Sequence, residues 1–206
     1  MDKPRKIKNR ERWMKKYFKR FQGREKSNYD EMIQGDYNRA IERAHALSSI
    51  TKEDYASTQP VLITVPDSYT DNDRVAYRLD KLQDGTMTLR YDQSLVTTLF
   101  FGEDTLYYHQ CNIDHRDGRI GFDVAGEFNY FDVVHMETAI KHDKPEHPKY
   151  IILDLELTLT DGTIVPLHLR NHRLHEGYAL PGLLTDKEQH ILDSIKAKVR
   201  GRRLSD

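Results

Sequence analysis

Between residues 13 and 21, Trp13, Met14, Tyr17, Phe18 and Phe21 recur at the three- and four-residue spacing that gathers side chains on one face of a helix, while Lys15, Lys16, Lys19 and Arg20 fill the other positions. The pattern predicts a basic amphipathic helix. Gly23 is its expected stop, and Ser27 or Asn28 the expected cap of a second helix whose apolar stripe runs through Tyr29, Met32, Ile33, Tyr37, Ile41, Ala44 and Leu47. Together these make an N-terminal helical hairpin.

Beyond residue 48 the chain turns polar, which reads as a linker, and residues 61–65 form a first strand. Residues 71–83 fit two periods at once: Val75, Leu79 and Leu82 suit a helix, whereas Tyr77 and Leu79 suit alternation. That element stays undecided. After the Asp84 and Gly85 turn signal, β-type runs follow at 86–91, 94–101, 105–113, 119–124 and 128–135. A final hairpin is the clearest element, because Leu153, Leu155, Leu157 and Leu159 alternate with polar residues and Val165, Leu167 and Leu169 answer them. A two-residue loop at Asp161 and Gly162 would mix its two faces. A three-residue loop of Thr160, Asp161 and Gly162 instead sets Leu155 opposite Leu167, Leu157 opposite Val165 and Asp154 opposite His168. Pro166 has no N–H to donate, so its strand needs a free edge or bulge there. The last element is a helix, with Thr185 and Glu188 spelling a capping box, Ile191, Leu192, Ile195 and Val199 its buried stripe, and Gly201 just past its end.

The expected fold is α+β. A basic helical segment spans 1–48, a linker 49–60, and a mainly antiparallel strand-rich domain 61–206, built as a partly open barrel or two packed sheets and closed by a C-terminal helix at 186–200. Counted from Thr86, seven strands in tandem followed by one amphipathic helix resemble a bacterial pleckstrin-homology-like domain. The resemblance implies a small barrel of two nearly orthogonal sheets, with Ile191, Leu192, Ile195 and Val199 plugging one open end. It also implies binding of lipid headgroups, peptides or protein partners rather than catalysis. Lipid-binding members use a basic loop between their first strands, and here the corresponding turn, Gly102, Glu103 and Asp104, is acidic. The strand at 61–65 and residues 71–83 stand outside that count.

Charge adds a division that the net value of −1 conceals: residues 1–26 hold 12 Lys and Arg against 3 Asp and Glu, a net of +9 against −10 for the remainder. Such an arm meets an anionic partner or folds back on its own acidic body. Three readings of it stay open: a membrane-surface anchor, a nucleic-acid arm, and a helix that packs within the chain or on another subunit. The single cysteine, Cys111, excludes an intrachain disulfide and any thiolate cluster, and suits a reducing compartment. With no secretory pattern at the N-terminus and no membrane-length apolar run, the expectation is a cytoplasmic protein, with peripheral contact at the inner membrane surface left open.

Candidate chemistry is sparse. His115, Arg116 and Asp117 spell a kinase catalytic triplet but lack every partner motif of that family, so they read as a turn. Asp67, Asp71 and Asp73 lack the glycine and terminal glutamate of a calcium loop. His168, Arg170, His172, Arg173 and His175 form a dense cationic segment after a strand. An exposed cationic loop is its first reading, an anion contact the next, and a metal-dependent hydrolase using 168–175 the alternative. No cofactor or metal is expected. The expected function is a non-enzymatic binding or adaptor protein, in which Trp13, Lys15, Lys16, Tyr17, Lys19, Arg20 and Phe21 engage an anionic surface or acidic protein partner; nucleic-acid binding is a further alternative.

Overall fold

Alternating apolar and polar residues resolve into three sheets and three helices in the computed structural model, which describes residues 5–55, 59–144, 146–147, 149–174 and 182–203. The order is α1 (Arg5–Tyr17), β1 (Gln22–Arg24), α2 (Ser27–Ser48), β2 (Val61–Pro66), β3 (Tyr77–Lys81), β4 (Met87–Tyr91), β5 (Gln93–Phe101), β6 (Thr105–Asp114), β7 (Arg119–Asn129), β8 (Val133–His142), β9 (Tyr150–Leu159), β10 (Ile164–Arg173) and α3 (Asp186–Arg203). A single 3-10 turn, Tyr130–Asp132, joins β7 to β8. Strands β2, β5, β6 and β7 form a four-stranded antiparallel sheet, and β8, β9 and β10 a three-stranded one. The fold is α+β, and the sheets do not close into a barrel, since β7 and β8 are edges that no strand among the described residues bridges.

The four-stranded sheet carries two apolar faces. On one, Val96, Cys111 and Ile113 meet Ala40 of α2, and Phe100 meets Ala44, where short side chains let the helix approach closely. On the other, Ile63, Leu95, Leu99 and Leu106 pack with the leucine ladder of β9 and with Ile191, Leu192, Ile195 and Val199 of α3. Covered on both sides, β5 is buried along all nine of its residues.

The last hairpin has the register expected of it, with Leu155 opposite Leu167, Leu157 opposite Val165 and His168 opposite Asp154. Gly162 supplies the turn's positive φ of 85°. Pro166 lies on an edge strand, where its missing N–H leaves no ladder bond unmade, and β10 bulges between His168 and Arg170. The capping box also forms: the backbone N–H of Thr185 donates to Glu188 at 2.7 Å, and that of Glu188 to the Thr185 hydroxyl at 3.3 Å.

Other expectations need correction. Helix α1 stops at Tyr17, and Gly23 belongs to β1, which pairs in parallel with β3. The Arg78 guanidinium lies where a Cβ on that glycine would sit, so the glycine is required by close approach and not by a helix end. No side chain of Ser27 or Asn28 caps α2; its N-cap is Lys26, without a side-chain hydrogen bond. Its buried stripe is Tyr29, Ile33, Asp36, Ala40 and Ala44, and Leu47 is exposed. The polar stretch after it carries Ile50 and Tyr55, both buried with Phe100. The undecided element is strand β3, and the run at 86–91 joins it in a small separate sheet rather than opening the main one. The strand at 61–65, left outside the seven, is instead an edge of the four-stranded sheet. Strand β7 runs unbroken past residue 124, and β8 continues to His142.

Candidate functional site

Where α1 crosses the end of the four-stranded sheet, a cleft of about 750 Å3 opens, lined by Glu11, Met14, Lys15, Phe18 and Lys19 on the helix side and by Ala76, Asp92, Asp114, Arg116 and Arg119 opposite. Lys15 on α1 and Lys19 in the turn that follows it share one wall. Two arginines of the β6–β7 turn form the other. Arg116 holds Asp114 through Nε at 2.7 Å and Asp73 through Nη2 at 2.7 Å, while Arg119 reaches Asp117 at 2.6 Å and Asp114 at 3.3 Å. Those carboxylates are therefore balanced within the protein. Asp92 is buried and accepts the Ala76 N–H at 2.7 Å; burial pushes its carboxyl above the ordinary value. Lys15 and Lys19 make no ion pair among the described residues, so the cleft presents positive charge above an apolar lining.

Beneath the cleft lies a buried polar chain. His115 Nδ1 meets Asp36 at 2.7 Å and its Nε2 meets the Ser94 hydroxyl at 2.8 Å, with Asp36 also held by Arg10 of α1 at 3.0 Å and by Arg39 at 2.6 Å. Burial works against the Asp36 carboxylate, but the hydrogen bonds from His115 and Arg10 hold its pKa below the ordinary value. The sequence of groups is that of a serine nucleophile, its base and an orienting acid. Acyl transfer also needs an accessible hydroxyl and donors aimed at an oxyanion. Ser94 is 1% exposed and does not line the cleft, and two guanidinium groups already share the Asp36 carboxylate. The chain thus serves to lock α1, α2 and the β6–β7 turn together, with Arg10 Nε also donating to the His115 carbonyl at 2.8 Å.

The sequence-derived candidates on α1 divide by face. Tyr17 is buried, stacked between Trp13 at 4.9 Å and Tyr29 at 5.1 Å, with its hydroxyl bonded to Asp80. Burial raises its phenol far above the ordinary range. Arg78 lies over the same ring at 4.4 Å and bonds Asp80 at 2.6 Å and the Tyr17 carbonyl at 2.7 Å. Lys15, Lys16, Lys19 and Arg20 are exposed, and Phe21 is half-buried near Arg173.

The cationic segment of β10 does not converge. His168 meets Asp154 at 2.8 Å on the outer face, whereas Arg170 turns inward to Glu188 at 2.7 Å and ties the strand to the start of α3. Burial, and then the charge of Arg170, lowers the His172 pKa. Arg173 lies over the Tyr77 ring at 5.0 Å, and His175 falls outside the described residues. Among the described residues no group of three or more His, Cys, Asp or Glu could hold a metal ion, and no helix is long and apolar enough to cross a membrane.

Sequence reasoning missed Asp36; it placed His115 in a turn, where the residue does lie between β6 and β7, but did not foresee its buried contacts. A signal existed for the first: Asp36 lies three residues after Ile33 and four before Ala40, so a carboxylate sat on the apolar stripe and called for a cation, which Arg39 one turn on supplies. Comparisons with protein-family models, curated proteins and solved structures find no match to this chain.

Proposed function

We propose that this chain is a non-catalytic binding protein whose recognition surface is the cleft under α1 together with that helix's cationic side, and that it takes an acidic segment of a protein partner. The observation that carries this reading is how α1 uses its faces. Met14 and Tyr17 are buried against Tyr29 and Ile33, with Trp13 and Phe18 packed beside them, so the apolar face is occupied by the chain's own core. A membrane-surface helix needs that face for lipid. What α1 and the turn after it offer outward is Lys15, Lys16, Lys19 and Arg20, and two of these wall a cleft whose lining also includes Phe18. Such a site suits carboxylates carried beside an apolar residue.

The proposal keeps a pleckstrin-homology-like body as its reading of the strand-rich region, in which β2, β5, β6 and β7 lie in one sheet, β8, β9 and β10 in another, and α3 follows. Binding rather than catalysis is the usual role of that family. A buried lone cysteine suits a reducing compartment, and the proposal places the protein in the cytoplasm.

Anisotropy titration of a fluorescein-labelled glutamate-rich peptide tests the reading, beside a single-stranded DNA oligonucleotide and retention on phosphatidylglycerol vesicles. The peptide should bind, and Lys15→Glu with Lys19→Glu should weaken it on the order of tenfold or more. Tighter binding of DNA with a steep salt dependence, or vesicle retention that collapses on Trp13→Ala, would point to a different partner class and overturn it.

A further inference from the structure

Among the described residues, strand β8 is hydrogen-bonded to β9 along one edge and to no strand along the other. Of its ten residues only Val133 is buried, so both of its faces meet solvent. Val134 is 52% and Ile140 37% exposed, and the run holds no proline. An uncovered edge of this length is a template for another strand. The sheet's opposite edge is different: β10 carries Pro166 and lies along β2, where Asn171 donates to the Pro66 carbonyl at 2.9 Å.

We propose that β8 pairs antiparallel with β8 of a second copy of this chain, about a two-fold axis at Ala139. A two-fold contact requires an edge complementary to itself. With Ala139 facing its counterpart, Glu137 stands opposite Lys141 and Lys141 opposite Glu137, so two opposite-charge pairs form on one face. Beyond them His135 stands opposite Asp143. The other face sets Thr138 against Ile140 and Met136 against His142, and no like charges meet. Neighbouring registers lose this match. An axis at Thr138 sets His135 against Lys141, one at Glu137 or Lys141 sets that residue against itself, and one at Ile140 sets Glu137 against Asp143.

Both charged side chains stay solvent-exposed, Glu137 at 64% with His135 3.7 Å away and Lys141 at 55% with Asp154 at 3.3 Å. On β7, an edge of the four-stranded sheet, the longest antiparallel register is less well matched. Setting Arg119 of β7 against Glu127 places Asp123 opposite itself, and that carboxylate is already held by His109 and Arg43. The β8 contact continues the three-stranded sheet into one of six strands. It lies on residues separate from the cleft and does not depend on the cleft's ligand.

Sedimentation velocity of the full chain over a wide concentration range tests the proposal, with circular dichroism checking that each variant stays folded. Wild type is expected to form a dimer that dissociates on dilution. Glu137→Lys and Lys141→Glu each create two like-charge pairs and should weaken that dimer on the order of tenfold. The double variant, with the signs exchanged, should dimerise as wild type does, and a mixture of the two single variants should form the heterodimer. A monomer at every concentration, a dimer indifferent to both single changes, or no recovery in the double variant and the mixture would overturn the proposal.

Discussion

At Asp36 a carboxylate without solvent exposure faces two guanidinium groups and an imidazole, so its removal would leave cations with no counter-charge in the interior. Asp36→Ala is expected to cost about 3–5 kcal/mol, read from urea unfolding. The same site sets an acid sensitivity. Because the folded pKa of Asp36 lies below its unfolded value, its contribution is present above the unfolded pKa and is lost as pH falls through the folded one. Glu188, lowered by its bonds to Arg170 and Thr185 against the opposing effect of burial, acts in the same direction. Unfolding free energy should therefore decline on acidification below about pH 4, and Asp36→Asn should flatten part of that decline. Cys111 tests burial separately: its thiol is pushed up to about 12, so it should resist alkylation in the native protein and react once unfolded. At this scale sequence reading reached the capping pair of Thr185 and Glu188. It missed the meaning of His115, because a His-Arg-Asp triplet in a turn carries no local sign of the helix that will pack upon it.

Elements were legible where their own residues set the geometry. In the β9–β10 hairpin, strict alternation and the Thr160, Asp161 and Gly162 loop leave one register that keeps the leucines together, and that register is the one formed. Leu155→Ala should cost about 2–5 kcal/mol because its site is closed on every side. Thr185→Ala should cost about 1 kcal/mol by removing the cap of α3. Both are read from denaturant melts. Elements that depend on distant chain were not legible. Strand β3 is decided by its pairing with β1 and β4, neither of which its own ambiguous pattern names. Strand β8 is exposed on both faces, so it lacks the alternation that marks a half-buried strand, and its reach to His142 went unseen.

Across the whole molecule, the contrast between residues 1–26 and the rest is partly answered inside the fold: Arg10 meets Asp36, and the aromatic side of α1 is packed away. The α+β class and the closing helix followed from sequence patterning alone. The cleft did not, since its two walls come from residues about a hundred positions apart. What remains outward on α1 and the turn after it is charge, and the central claim is that this charge and the cleft below it recognise an acidic partner. Trp13, the only tryptophan, stacks on Tyr17 within a turn of Lys15 and so reports on the helix directly. The most direct measurement is its emission during titration with a glutamate-rich peptide. The expected result is a saturable change that weakens with added salt and is lost when Lys15 and Lys19 are both changed to glutamate. An emission unaltered by the peptide, or an equal change in the variant, would contradict the account.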